Sequence, residues 1–423
     1  MDSCKIENFI ELADEQVQNG DLLCAIKYYK KHLEQNPDDA FIYNRIGYLY
    51  GKVSQYDYLD EQIKYFYKVL EFDPENTTAI RNLALTYPLM GKTQEAVDCF
   101  HKLFKLGSLE DDYFAYACLK IKLGDFEEGW KYYEARFLKK FGATYYPRIT
   151  KPQWEGEDIK DKTLFVHYEQ GLGDSIMFFR YLKQIEPFAG KIIFKVQKEL
   201  YNLFSYNTGN IEIVKTHSYL VNQNFDYHIP IMSFPRVLKS NIENIPFSEG
   251  YLKADERKTQ KFKKEFFDND CLKIGIAWNG MKTGNRKRDI PLEYFYSLCK
   301  LKNVQIYSFQ KGFGTEQLEN LPSDVKIIDF GKEFNDFSDT AAAMENLDLF
   351  ITSDNGVFNL AGAMGKKTFL LLNKNSEWRW FLDEEKTPWY DSVRIFKKKH
   401  ENDGWDLLMK KVMEEIKKGA DFN

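Results

Sequence analysis

The sequence predicts an α-plus-α/β chain: a helical-repeat solenoid in front, then a pair of α/β lobes. Two observations carry this. Across residues 1–140, small residues, aromatics and prolines return at spacings near roughly 34 positions. From residue 163 onward, short β-branched and aromatic runs end in Gly, Asp or Asn turns and feed helical stretches, the alternation of parallel α/β folds. A chain of 423 residues also exceeds one ordinary core, since domains run to roughly 100–200 residues.

The repeats align on Gly20, Gly91 and Gly124. Gly20-Asp21 precedes Ala25, Tyr29 and Pro37; a second unit holds Tyr65-Phe66-Tyr67 and Pro74; a third has Gly91, Ala96, Phe100 and Gly107; a fourth has Gly124-Asp125, Gly129 and Tyr133. Pro37 to Pro74 is 37 residues, Ala25 to Ala96 is 71 and Gly91 to Gly124 is 33. An insertion around residues 53–58 accounts for the longer second unit. A small residue lets antiparallel helices approach, an aromatic one turn later fills the groove, and proline ends the second helix. Gly20, Ala25, Tyr29 and Pro37 resemble the tetratricopeptide repeat most clearly, and four such units make a solenoid with a concave face. Arrays of this kind hold peptides or protein surfaces, and of Tyr43, Tyr48, Tyr50, Tyr65 and Phe66, which recur at helical spacing, most read as core.

Between residues 141 and 162 the period is lost at Gly142, Pro147, Pro152 and Gly156, a connector. The first lobe, 163–262, opens with the strand Thr163–His167, the turn Glu169-Gln170-Gly171-Leu172-Gly173-Asp174 and a helix through Ile176–Leu182. Glycines let backbone approach a ligand closely here, and Asp174 either caps the helix or points into a cleft. With Ile176 in place of a third glycine, the dinucleotide fingerprint fails. Strands are expected at 191–197, 211–215 and 227–231. The polar run 254–270 separates the lobes, and its Asp268-Asn269-Asp270, in lysine-rich, helix-like surroundings, reads as a solvated loop.

The second lobe, 271–400, starts with the strand Leu272–Trp278 and the turn Asn279-Gly280. A basic loop with Arg286 and Arg288 follows, and Ile290-Pro291-Leu292 begins a helix. Strands are expected at 304–310, 325–330, 347–352 and 368–372, and a C-terminal helix within 401–423. Asp354-Asn355-Gly356-Val357 links the strand at 347–352 to the small-residue helix through Asn359 and Gly365. Its amides suit an anion, and Asp354 as a plain N-cap is the competing reading.

Composition excludes several classes. Hydrophobic content of 43% with 29% charged residues is that of a globular protein, and no apolar run approaches the roughly 18–20 residues of a membrane span. The start, Met1–Glu7, carries no signal-peptide pattern, so a cytoplasmic location is expected. Cys4, Cys24, Cys99, Cys118, Cys271 and Cys299 are scattered without a Cys-x-x-Cys pair, which suggests neither disulfides nor a zinc site. Net charge is −5, against a nucleic-acid partner. Residues 1–140 hold 18 Lys+Arg against 24 Asp+Glu, and the remaining residues hold 41 against 40. The acidic front and near-neutral back suit an adaptor joined to a working domain.

The motifs from Glu169–Asp174 through Gly275–Gly280, Ser308–Gly312, Asp336–Ala341, Asp354–Gly365, Trp378-Arg379-Trp380 and Pro388-Trp389-Tyr390 appear in one order. Together they resemble bacterial tetratricopeptide proteins with a heptosyltransferase-like glycosyltransferase domain of family 9, from about Gly124 to Trp405. The resemblance implies a GT-B fold with acceptor on the first lobe and nucleotide-sugar on the second. It implies that Asp174 is the general base, with Gln170, Gly171 and Gly173 along the acceptor cleft. It places the donor diphosphate over Asp354, Asn355, Gly356, Val357 and Asn359, with Arg286, Arg288, Asn279, Gln310 and Lys311 around it and Glu316 as a sugar-binding glutamate. No metal and no cofactor are implied, the nucleotide-sugar being a substrate. Two positions depart from the family: a histidine is usual where Asn359 stands, and threonine is common at Asn355. The function expected is inverting transfer to a hydroxyl of a protein acceptor held by the repeats, such as flagellin or an adhesin. The alternatives are a non-catalytic interaction protein with a degenerate domain, and a transferase acting on a surface glycan.

Overall fold

A computed structural model describes residues 8–138, 149–215, 224–280, 288–381 and 385–418. Arg286 and most of its basic loop lie outside these residues. The chain divides into two compact units, residues 1–120 with 132–140 and residues 121–131 with 141–423.

The first unit is built of antiparallel helix pairs: α1 (Phe9–Gln18), α2 (Leu22–Gln35), α3 (Ala40–Val53), α4 (Leu59–Phe72), α5 (Thr77–Thr86), α6 (Thr93–Leu106) and most of α7 (Glu110–Lys122). Their starts are written in short polar side chains. Asp21, Asp39 and Asn76 accept from the backbone amides of Cys24, Ile42 and Ala79 at 3.0–3.1 Å, satisfying donors a helix leaves open. The glycines that align the repeats share one geometry: Gly20, Gly91 and Gly124 have φ of 82°, 76° and 85°. A Cβ is strained there, so glycine ends the helix. Ala25, Tyr29, Ala96 and Phe100 are buried as the repeat pattern requires. The second repeat lacks a turn glycine but has Gly47, where a Cβ would stand 2.6 Å from the Phe66 ring. That pair brings α3 and α4 together.

Helix α8 (Phe126–Tyr133) begins in the second unit. The first sheet of that unit has β1 (Thr163–His167), β2 (Lys191–Val196), β3 (Ile211–Lys215) and β4 (Tyr227–Pro230), ordered β3-β2-β1-β4 and all parallel. Helices α9 (Leu172–Ile185), α10 (Tyr201–Tyr206) and α11 (Phe234–Val237) accompany it. Phe179 of α9 stacks on Phe204 at 4.2 Å, with Phe194 of β2 alongside.

In the second lobe, α12 (Glu256–Phe266) precedes β5 (Leu272–Ala277), β6 (Val304–Ser308), β7 (Ile327–Asp329), α13 (Phe337–Met344), β8 (Leu349–Ser353), α14 (Gly356–Ala363), β9 (Thr368–Leu372), β10 (Val393–Lys397) and α15 (Trp405–Lys418). The order β10-β9-β8-β5-β6-β7 is the doubly wound order of nucleotide-binding sheets, reversing between β5 and β8. In the first sheet the reversal falls between β1 and β4. The chain thus has the helical-repeat front and the paired Rossmann-like lobes of the GT-B plan. Among the described residues no helix is long and apolar enough to cross a membrane.

The polar run 254–270 holds α12, in keeping with its helix-like composition, and Lys258 bonds Ser338 and Asp339 of the second lobe at 2.6 Å. Two elements differ from the sequence reading. The stretch begun at Ile290 is a 3₁₀ segment, Leu292–Lys300. Strand β10 has no counterpart among the strands the sequence predicts, and it pairs with β9 from Val393↔Thr368 onward.

Glu186 illustrates how the loops are fixed. It accepts from the amides of Gly209 and Asn210 at 2.8 Å and from Lys183 at 2.9 Å. Burial pushes its carboxyl up, but these bonds win and hold it below the ordinary 4.5. Its stabilisation is therefore complete above pH 4.5 and lost as pH falls through the lower folded value. Glu186→Gln is expected to cost about 1 kcal/mol at pH 7. Urea denaturation repeated below pH 4.5 should show the difference between the two proteins shrinking.

Candidate active site

Both switch points place polar turns at strand ends. After β1 the backbone reaches Gln170, which has φ 51°, and Gly171 then opens α9. Asp174 Oδ2 accepts from the Gly171 amide at 3.0 Å, so the carboxylate closes its own helix turn. Gln197, just after β2, accepts from Ser175 at 2.9 Å and donates to the Gly171 carbonyl at 3.4 Å. Those bonds fix the turn from a second strand.

At the facing switch point, Ser353 at the end of β8 donates to the Trp278 carbonyl at 3.0 Å. Asn355 caps α14: its Oδ1 accepts from Phe358 N at 3.0 Å, and its Nδ2 donates to Thr352 at 2.9 Å. The N-cap is therefore Asn355, and the competing reading of Asp354 as the cap is corrected. Asp354 instead accepts from Trp380 Nε1 at 2.9 Å and lies 3.5 Å from Arg288. Burial pushes its carboxyl up, Arg288 opposes that, and Glu377 adds to it. Gly356 and Val357, which start α14, are half-buried.

The two turns touch. A Cβ on Gly173 would stand 2.8 Å from Asn359 Nδ2 and 3.3 Å from the Cα of Gly356. Only glycine allows α9 and α14 to meet this closely. Asn359, the departure from the family pattern, has both ends of its amide engaged. Nδ2 donates to the Asn355 carbonyl at 3.2 Å and Oδ1 accepts from Tyr390 at 3.0 Å. An asparagine here joins the cap, the 388–390 segment and the Gly173 turn.

A ladder of alternating charge links the turns. Arg379 donates to Asp174 Oδ1 through Nη2 and to Glu377 through Nη1, the latter at 2.6 Å. Arg288 donates to the other Glu377 oxygen at 2.9 Å and to the Asp354 carbonyl at 3.3 Å. The order is Asp174, Arg379, Glu377, Arg288, Asp354. Sequence reasoning selected the ends and Arg288 but missed Arg379 and Glu377. The one available signal was an arginine between two tryptophans in a stretch without helical or strand period.

The remaining candidates sit on the β5 and β6 ends. Gln310 Oε1 accepts from the Trp278 and Asn279 amides at 3.0 Å, and its Nε2 donates to the Asn279 and Phe313 carbonyls at 3.2 and 2.7 Å. Its amide is spent on holding these loops. Gly314 packs on Asn279, where a Cβ would lie 2.4 Å from Nδ2, and Lys311 donates to the Phe334 carbonyl. Glu316 is exposed and accepts from the Gly314 amide at 2.9 Å.

Behind the site, fully buried Arg180 of α9 ties the two lobes. It donates to the carbonyls of Met177, Pro246 and Trp389 at 3.0, 3.3 and 2.8 Å. The rings of Tyr251 and Tyr390 flank it at 4.8 Å. Carbonyls and ring faces thus meet its charge.

No family model matches the chain. Protein FlbA of Caulobacter vibrioides is 28% identical over 399 residues, covering 88% of this chain, which spans 66% of that protein's length, just under two thirds. Among solved structures, the E. coli ADP-heptose LPS heptosyltransferase II aligns with a TM-score of 0.46 at 14% identity, over 60% of this chain and 98% of that one. The MamA protein aligns with a TM-score of 0.28 at 20% identity, over 30% of this chain and 68% of that one.

Proposed function

We propose that the second unit is an inverting glycosyltransferase that moves a sugar from a nucleotide-sugar to an acceptor hydroxyl, with a protein acceptor held by the repeats. One observation carries the reading: the Asp174 turn and the start of α14, each at a sheet's switch point, meet and are joined by the charge ladder. The order of motifs in the sequence supports it.

In this reading Asp174 takes the proton from the acceptor hydroxyl as its oxygen attacks the anomeric carbon. The new carbon–oxygen bond forms as the bond to the diphosphate breaks, and the electron pair leaves with the diphosphate. Attack opposite the leaving group inverts the centre. The first amides of α14, with Arg288, receive the leaving charge, so the donor binds there without a metal.

A screen of ADP, GDP, UDP and CDP by thermal shift tests the reading. At least one is expected to raise the melting temperature, by a few degrees at saturation. A flat response to all of them removes the donor site. A non-catalytic binding module is favoured by one observation, that both Asp174 oxygens are engaged. Nucleotide binding without turnover would select it.

A further inference from the structure

We propose that Arg379 is a positioning residue shared between Asp174 and the donor diphosphate, so that the carboxylate becomes available only once a diphosphate is seated. This rests on the donor site proposed above.

Three observations on the second unit support it. First, the backbone of Arg379 is held while its guanidinium has a choice of anions. The Arg379 carbonyl accepts from Trp389 Nε1 at 3.1 Å, and the neighbouring Ser376 carbonyl accepts from Lys122 at 2.9 Å. The Trp378 ring lies 4.2 Å from the guanidinium, and Trp130 packs edge-on against that ring at 5.5 Å. Second, the planar fork of the guanidinium already spans two carboxylates on separate lobes, Asp174 and Glu377. Arginine forks match phosphate oxygens as well as carboxylates. Third, within the ladder two guanidiniums face three carboxylates, Asp174, Glu377 and Asp354. A diphosphate arriving at α14 adds further negative charge beside Gly173, the residue preceding Asp174. Its attraction for Arg288 and Arg379 competes directly with the carboxylates.

The consequence is an order of events. Before the donor binds, both Asp174 oxygens are engaged, one by the Gly171 amide and one by Arg379. After it binds, the guanidinium turns to the diphosphate and Asp174 is released to the acceptor hydroxyl.

A double-mutant cycle on full-length protein tests this by titration calorimetry, with ADP, GDP, UDP and CDP as probes. Asp174→Asn removes the competing anion and is expected to tighten the best-bound nucleotide roughly tenfold, while Arg379→Gln weakens it roughly tenfold. In the Arg379→Gln background, Asp174→Asn should have no effect. A gain from Asp174→Asn of equal size in both backgrounds, or no gain in either, overturns the proposal while leaving the donor site standing. Wild-type protein that binds none of the four overturns both. Should Arg379→Gln not fold, Arg379→Lys serves: it keeps the charge without the fork, and a gain from Asp174→Asn reduced to roughly threefold is expected. An undiminished tenfold gain there contradicts the shared role.

Discussion

Asp174→Asn is expected to lower sugar transfer roughly a thousandfold while the protein stays folded and still binds nucleotide, because a positioned general base contributes 10²–10⁴. The amide has the shape of the carboxylate and can still cap the Gly171 amide, which Asp174 now does at 3.0 Å. It cannot accept a proton from a hydroxyl. A loss in kcat without any loss of nucleotide affinity separates this role from a structural one. Loss of both together would place Asp174 in the fold of the turn alone.

Gly331→Ala is expected to destabilise the second lobe by about 3 kcal/mol or more, the scale of the severe steric defects. A Cβ there would stand 1.8 Å from the Gln310 carbonyl oxygen and 2.8 Å from its carbon. Both atoms are backbone, so no rotamer relieves the clash. Displacing Gln310 also loosens the bonds it makes to Trp278, Asn279 and Phe313. Gly312→Ala is the control: φ is 76° but no atom lies within 4 Å, leaving only backbone strain of about 1–2 kcal/mol. Urea denaturation of the two variants should separate them clearly.

Thr368–Leu372, buried along its whole length, was legible as a continuous apolar run, and the edge strand Ile211–Lys215 as an alternation of apolar and charged positions. Ile211–Lys215 and Thr368–Leu372 sit where the sequence places them. Val393-Arg394-Ile395-Phe396-Lys397 was not legible, since it is an edge strand whose basic residues interrupt the run. Helix α12 was legible only as a polar, helix-like stretch, since Phe262 is the one buried side chain among its lysines and glutamates. At the site, the Gly171–Asp174 turn and the Asn355 cap are local patterns of strand, turn and helix, so their residues announce them. Arg379 meets Asp174 across 205 positions of chain, which no spacing rule reaches. The engaged amide of Asn359 is likewise a product of packing, with Tyr390 and Gly173 converging on it from distant segments.

We propose that the paired turns transfer a sugar to a protein. Intact-mass analysis of acceptor proteins co-expressed with this chain tests it most directly. A mass increase of one sugar residue is expected on at least one acceptor with the wild-type chain, absent with Asp174→Asn. An increase that persists with Asp174→Asn, or acceptors left unmodified by a wild-type chain that binds nucleotide, would contradict it.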